Sequence, residues 1–168
     1  LVYGHNGLAG ELGHVNVKHN GRLCRCGNRG CLETYVSATG IRRTFFNLLR
    51  TGSAKSSLSG VGFQKITSEM IYEAAEKKDR LALEAFDISG EILGRKLADV
   101  VAITNPEAIF LLGGLARAGD LIFNPTRNAM EKNLFPIFRR KVKILPSKLK
   151  RNSAAVLGAA ALAWQNRD

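Results

Sequence analysis

All three cysteines of this 168-residue chain lie in one short stretch, Glu11-Leu-Gly-His-Val-Asn-Val-Lys-His-Asn-Gly-Arg-Leu-Cys-Arg-Cys-Gly-Asn-Arg-Gly-Cys-Leu-Glu33. Cys24 and Cys26 are separated by one residue, Cys31 follows after a glycine-containing loop, and His14 lies upstream. Three thiolates and one imidazole suit a tetrahedral Zn²⁺ ion in a closed structural site. The stretch therefore predicts a zinc site formed by His14, Cys24, Cys26 and Cys31.

The residues around the cysteines support this interpretation. Gly27 and Gly30 allow a short loop to fold back, so that the sulfur atoms can meet around one ion. Arg22, Arg25 and Arg29 would offset the negative charge of three thiolates around a divalent cation. Free cysteines are often buried as small hydrophobes, but residues flanked by Arg, Gly and Asn do not suggest an apolar face.

Two other arrangements of this stretch stay open at this point. His5 or His19 could replace His14 as the fourth ligand, although each is typical of a solvated loop. A nucleic-acid-binding zinc knuckle usually has two residues between its paired cysteines and a histidine inside the array. Here the gap is one residue and the histidine lies outside, which disfavours that kind of knuckle.

Composition narrows the class of protein. A length of 168 residues with 45% hydrophobic residues suits one domain with its own core. No apolar run approaches the roughly 18 residues needed to span a bilayer, and three cysteines cannot pair fully into disulfides. We therefore expect a protein of the reducing cytoplasm, without membrane contact.

The formal charge of +11 raises the question of a nucleic-acid partner. Lys and Arg are scattered, with local clusters only at Arg42-Arg43, Arg139-Arg140-Lys141 and Lys148-Leu-Lys-Arg151. No aromatic residues interleave these clusters as base-stacking platforms. The charge pattern disfavours nucleic acid and favours affinity for anions such as nucleotide phosphates.

Hydrophobic periodicity predicts the helices of the first two thirds of the chain. Apolar residues recur at helical spacing from Ile41, which predicts a helix ending near Arg50, and residues 51–60 are typical of a flexible polar linker. From Asp79 a three-to-four repeat predicts a long amphipathic helix that Asn105-Pro106 ends.

The last third alternates strands and helices. Ala108–Leu112 is wholly apolar and predicts a strand buried on both faces. Asn124 followed by Pro125 is typical of a helix N-cap and first helical position. A second strand over Val142–Leu145 and an Ala-rich helix over Ser153–Trp164 complete an order that implies parallel strands and an α/β fold.

Several motifs together resemble the signature of the ROK proteins, a family of repressors, open reading frames and kinases that phosphorylate or sense sugars. The matching segments are Gly10-Glu-Leu-Gly-His14, Cys24-Arg-Cys-Gly27, Gly30-Cys-Leu-Glu33, Ser37, Leu111-Leu-Gly-Gly114 and Ala154–Ala163. Residues 33–41 look most like the glucokinase branch. The resemblance covers nearly the whole chain.

The resemblance implies a fold and a set of site residues. It implies the actin-like, ribonuclease-H-like C-terminal lobe of a sugar kinase over residues 1–168, with a zinc-binding knuckle and sugar-site segment at 10–40 and an α/β core at 67–168. Glu11, His14 and Glu33 would line the sugar site, and Gly113-Gly114 would contact the nucleotide. Without the resemblance, the glutamates would be surface charges and the glycines a tight turn.

The chain departs from the kinase pattern at its beginning, since no aspartate precedes Asp79. Family kinases carry upstream phosphate loops and an Asp that acts as general base. We therefore expect an N-terminal lobe outside this chain, no catalytic residue within it, and no activity from this part alone. The complete protein is expected to transfer phosphate from Mg-ATP to a hexose, most simply glucose, as a homodimer.

Two further classes of function remain open. The sugar-sensing effector domain of a ROK-type transcriptional repressor would carry the same zinc motif, with a helix-turn-helix segment outside this chain. A zinc-stabilised interaction module would carry the motif without any affinity for hexoses.

Overall fold

The computed structural model describes residues 2, 4–52, 54–149 and 151–165, with side chains from residue 156 onward in the last segment. The α-helices are α1 (Ala38–Thr51), α2 (Ser68–Glu76), α3 (Arg80–Thr104), α4 (Asp120–Asn133) and α5 (Arg151–Gln165), and the strands are β1 (Ala108–Leu111) and β2 (Lys143–Pro146). Short 3-10 helices lie at Leu12–His14, Leu32–Thr34, Leu115–Ala118 and Pro136–Phe138. Within the described residues no helix has the length and apolar character needed to cross a bilayer.

The helix predicted to end near Arg50 is confirmed as α1. Ser37 caps it, because its hydroxyl accepts a hydrogen bond from the Gly40 N–H at 2.9 Å. Ile41 and Phe45 are fully buried on one face of α1. The helix thus places its apolar side on the core. Arg50 is exposed, whereas Arg42 and Arg43 are half-buried, and Arg42 donates to the Phe63 carbonyl at 2.9 Å.

The long amphipathic helix is confirmed as α3, which has 25 residues. Asp79 caps its start, and Asn105 ends it in the left-handed conformation at φ 44°. Two glycines of α3 let α4 approach closely. A Cβ added to Gly90 would lie 2.6 Å from the Pro125 ring, and one added to Gly94 would lie 2.7 Å from the Met130 nitrogen and would overlap the Thr126 carbonyl oxygen.

The predicted N-cap at Asn124 is wrong. α4 begins at Asp120, its N-cap is Gly119, and Pro125 lies inside the helix. Pro125 removes one backbone donor, but its ring packs against the flat surface that Gly90 leaves on α3. This contact between helices favours a continuous α4 over the local signal of an Asn-Pro pair.

β1 and β2 are parallel, as predicted, with Ala108 opposite Lys143 and Leu111 opposite Pro146. The crossover between them contains α4. The expectation that β1 is buried on both faces is wrong, since Phe110 is 64% exposed. In the described part of the chain the sheet has two strands, and one face of β1 is left uncovered.

Two features around the start of α3 were not predicted. The sequence analysis missed α2, which Thr67 caps by accepting a hydrogen bond from the Met70 N–H. The prediction of a flexible linker is wrong for residues 54–60, which are anchored. The Ser56 and Ser57 hydroxyls donate to the Asp79 carboxylate at 2.8 and 2.9 Å.

Replacement of Gly94 tests the contact between α3 and α4. Gly94→Ala should lower the free energy of unfolding by about 1–3 kcal/mol, the usual cost of overpacking a close contact. Gly158→Ala is the matched control, because nothing lies within 4 Å of its added Cβ. Urea denaturation followed by circular dichroism measures both, and equal stability of the two variants would show that α3 and α4 are not this close.

Asp79 makes stability depend on pH. Burial alone would raise the pKa of Asp79, but hydrogen bonds from Ser56, Ser57 and the Ala82 N–H outweigh it and hold the pKa below its ordinary value. A carboxyl with a lowered native pKa stabilises the fold above its unfolded pKa of about 3.9, and this contribution is lost as pH falls through the native value.

Asp79→Ala should therefore cost about 1 kcal/mol at neutral pH, with a smaller difference from the parent below pH ~3. Asp120→Ala removes an aspartate at the start of α4 that is 85% exposed, and serves as the control. Urea denaturation at several pH values gives the comparison. A deficit of the Asp79 variant that stays constant down to acid pH would contradict the role given to its carboxylate.

Candidate functional site

Residues 14–33, here called the knuckle, fold back on themselves through short antiparallel contacts. Asn16 pairs with Cys31 and Leu23 pairs with Arg29. The Cys24 N–H donates to the Asn28 carbonyl at 2.8 Å, which closes the loop between the first two cysteines and the third. The knuckle thereby brings residues distant in sequence to one point.

Gly30 is required at the crossing of the two knuckle strands. Its φ is 78°, and an added Cβ would overlap the Lys18 carbonyl oxygen and lie 2.8 Å from the Asn16 side chain. Its N–H donates to the Arg22 carbonyl at 2.8 Å. Only glycine combines this backbone conformation with so close an approach.

The four predicted metal ligands meet in the knuckle. The ligand atoms of His14, Cys24, Cys26 and Cys31 all lie within 4.8 Å of one another. The distance from His14 Nδ1 to Cys24 Sγ is 3.7 Å, and that from Cys26 Sγ to Cys31 Sγ is also 3.7 Å. A tetrahedron with Zn–S bonds of about 2.3 Å has sulfur atoms about 3.8 Å apart.

The donor set therefore fits a tetrahedral Zn²⁺ ion closed by four protein ligands. Among the described residues, His14 is the histidine that joins the cysteines, and neither His5 nor His19 belongs to the cluster. Cys24 and Cys31 are buried, whereas Cys26 and His14 lie at the surface. One side of the cluster thus belongs to the core and the other faces solvent.

The three thiols differ in acidity. A hydrogen bond to the Glu33 carboxylate raises the pKa of Cys24 to about 12, and burial raises the pKa of Cys31. A hydrogen bond from the Asn28 N–H lowers the pKa of Cys26 to about 7. A divalent cation would hold all three as thiolates, so metal binding would release protons.

Both glutamates that were predicted to line a sugar site lie against the cluster. Glu11 Oε2 is 3.8 Å from His14 Nε2, on the side of the imidazole away from Cys24. Glu33 Oε1 accepts a hydrogen bond from the Cys24 thiol at 2.9 Å. Glu33 also lines a cleft of about 200 Å³ whose other polar residues include Thr34, Ser37, Thr39 and Arg43.

Gly113 and Gly114 lie outside the knuckle, in the α/β part of the chain. They follow the carboxyl end of β1, and Gly113 has a φ of 116°. Gly114 lines a second cleft, of about 190 Å³, together with Tyr72, Phe86, Leu115 and others. The two glycines predicted to contact the nucleotide thus lie at the carboxyl end of a parallel strand, where α/β sheets bind their ligands.

Arg22 has a role that the sequence analysis missed. Its guanidinium donates to the carbonyl of Thr34, at the end of the preceding 3-10 helix, at 2.8 Å. It also donates to two residues of α1, the Gly40 carbonyl at 3.0 Å and Thr44 Oγ1 at 2.9 Å. It also lies 4.4 Å above the Tyr35 ring. Arg22 therefore ties the knuckle to the helical core, and its place in the sequence, two residues before Cys24, gave no signal for this.

The comparison with known families identifies the chain. The family model described as "ROK family" matches residues 1–166. The chain belongs to the ROK family. Its α/β fold also matches that of a solved ROK structure, the Streptomyces griseus glucokinase in complex with glucose and AMPPNP, with a TM-score of 0.85 and 30% identity over 98% of this chain and 54% of that one.

Curated ROK relatives include both kinases and regulators. The chain is 38% identical to the glucokinase of Thermotoga maritima, over 96% of this chain and 51% of the relative. It is 33% identical to the DNA-binding transcriptional dual regulator NagC of Escherichia coli, over 96% of this chain and 38% of the relative. The chain thus spans about half the length of its glucokinase relative, and less of the regulator.

The cluster predicts one equivalent of zinc per chain in protein purified without added metal. Structural zinc contributes roughly 10–16 kcal/mol of apparent binding free energy in small sites, so Cys31→Ser should lose the metal and loosen the knuckle. His19→Ala should keep a full equivalent, because His19 is outside the cluster. Elemental analysis measures the metal, and full zinc in Cys31→Ser would contradict the assignment of the ligands.

Proposed function

We propose that this chain is part of a ROK hexose kinase that transfers the γ-phosphoryl group of Mg-ATP to a hydroxyl of glucose. The observation that carries the proposal is the pair of carboxylates, Glu11 and Glu33, placed directly against a Cys₃His cluster. The 38% identity to a glucokinase supports the choice of reaction.

Zinc would have a structural role in this proposal. Four protein ligands leave no open position for substrate or water, in contrast to catalytic zinc sites. The ion would fix the imidazole of His14 through one ring nitrogen, which leaves the other free to act as a donor. It would also keep Cys24 deprotonated, and this removes the donor that now holds Glu33.

Glu11, His14 and Glu33 would contact the sugar. A carboxylate accepts hydrogen bonds from two adjacent hydroxyls, a pattern that suits the vicinal diol of a hexose. Glu33 already lines a cleft with several hydroxyl side chains. Released from the Cys24 thiol, its carboxylate could turn to a bound sugar.

Gly113 and Gly114 would contact the nucleotide. An added Cβ at either glycine meets nothing within 4 Å, so open space surrounds both residues at the end of β1. The adjoining cleft has apolar walls from Leu115 and Tyr72, which suit a nucleotide base. ATP would therefore bind at the carboxyl end of β1, and the sugar would bind beside the knuckle.

The general base would come from outside this chain. Phosphoryl transfer to a sugar hydroxyl needs a positioned base and loops that hold the phosphates. Glu11 and Glu33 are assigned to binding, and no aspartate precedes Asp79. This chain spans about half the length of its glucokinase relative, so we propose that an N-terminal lobe supplies the catalytic Asp. On the family resemblance alone, we also propose that the complete protein is a cytoplasmic homodimer.

A sugar-sensing regulator is the second candidate, favoured by the 33% identity to NagC. A sensor needs the same hydroxyl contacts from Glu11, His14 and Glu33, but neither base nor phosphate loops. The two candidates differ in what lies upstream: a helix-turn-helix segment for the regulator, a phosphate loop and catalytic Asp for the kinase.

A coupled assay of ADP release with glucose and Mg-ATP tests the kinase. The complete protein should turn over, and this 168-residue chain alone should not. Glu33→Gln in the complete protein should raise the KM for glucose about tenfold, the effect of losing a charged hydrogen bond, with zinc content unchanged. Glu76→Gln, an exposed change in α2, is the control.

Two results would contradict the proposal. Turnover by this chain alone would show that a catalytic base lies within it. A complete protein that binds glucose and DNA but releases no ADP would assign the chain to the regulators.

A further inference from the structure

An open cleft lies between the knuckle and the exposed side of α1. Its volume is about 640 Å³, within the roughly 300–1,000 Å³ typical of small-molecule sites. The turn at 18–22, α1 and the loop at Phe63 form it. We call it the basic cleft, after its most prominent lining residues, which are Lys18, Arg22, Arg43, Arg50, Phe46 and Phe63.

The protein does not neutralise the positive charge of the basic cleft. No aspartate or glutamate lines it. In the described part of the chain, the ion pairs within 4.0 Å involve other cations, such as Arg95 with Glu91 and Lys96 with Asp99. Among the described residues, the four cations of the cleft therefore have no acidic partner within 4.0 Å, and together they focus a positive potential that attracts anions.

One wall of the basic cleft is fixed in advance. Three hydrogen bonds and the Tyr35 ring hold the Arg22 guanidinium, and the Arg22 N–H donates to the Tyr35 hydroxyl at 3.1 Å. Arg43 is also oriented, by a 3.4 Å hydrogen bond to the Leu23 carbonyl. Side chains already ordered lose little entropy when a ligand binds.

The two arginines repel each other. Both residues line the basic cleft, and their guanidiniums carry the same positive charge, so the two charges repel each other across it. An anion in the cleft would relieve this repulsion, whereas a neutral ligand would not.

The aromatic residues of the cleft indicate that an anionic ligand would also carry an apolar or organic group. The rings of Phe46 and Phe63 are tilted by 59° with centroids 5.2 Å apart, and they form one apolar corner of the cleft. We propose that the basic cleft binds a phosphate monoester, with its dianionic phosphate among Lys18, Arg43 and Arg50 and its organic group against Phe46 and Phe63.

A nucleic-acid strand fits the basic cleft less well. Single strands need successive aromatic platforms along a groove, but Phe46 and Phe63 pack on each other.

The basic cleft shares only Arg43 with the cleft beside Glu33. The proposal therefore stands whether the protein is a kinase or a regulator.

Titration with inorganic phosphate, glucose 6-phosphate and glucose tests the proposal, with amide NMR shifts and calorimetry as readouts that need no turnover. Glucose 6-phosphate should shift the amides of residues 18–22 and 43–50 and bind more tightly than inorganic phosphate. Glucose should leave residues 18–22 unchanged. Added salt should weaken binding of both phosphates, since it screens exposed charges.

Two double variants locate the site. Lys18→Ala with Arg50→Ala should weaken binding of glucose 6-phosphate at least tenfold, because the variant removes two of the three cations proposed to contact the phosphate. Lys132→Ala with Arg139→Ala removes the same charge from another basic surface, and should leave the affinity unchanged.

Three outcomes would overturn the proposal. Equal loss in both double variants would show a general effect of net charge. Inorganic phosphate that binds as tightly as glucose 6-phosphate would remove any role for the organic group. The absence of shifts at 18–22 would show that the cleft is not the site.

Discussion

Three thiols and one imidazole within 4.8 Å of one another are the constraint on which the candidate site depends. Thiolates at such distances repel one another strongly unless a cation lies between them. Glu11 and Glu33 each contact one member of this cluster. The positions of the two carboxylates therefore follow from the geometry of this cluster.

The knuckle and the helical core form one packed unit. Arg22 donates to backbone and side chain at the start of α1, and the Ser89 hydroxyl of α3 donates to the Tyr35 carbonyl at 3.3 Å inside the core. Gly40 is packed so closely on Tyr35 that a Cβ would lie 2.5 Å from the Tyr35 carbonyl carbon. The relative positions of the Cys₃His cluster and the basic cleft therefore both depend on the contacts that join the knuckle to the helical core.

The kinase and regulator relatives both match almost all of this chain. A sensor and a kinase both need carboxylates for hydroxyl groups. Only the kinase needs a base and phosphate loops, which act on the reacting atoms and not on the sugar as a whole.

Spacing within the sequence was enough to predict which four residues form the Cys₃His cluster, α3 and the parallel strands, because caps, periodicity and short loops act between residues close in the chain. The start of α4 was not predictable in this way, since the contact of Pro125 with Gly90 joins two helices. The basic cleft was not predictable from the sequence for the same reason. Lys18 and Arg50 line one surface only because the knuckle packs on α1. Local chemistry thus determined which residues can bind a metal, and long-range packing decided which cations face each other.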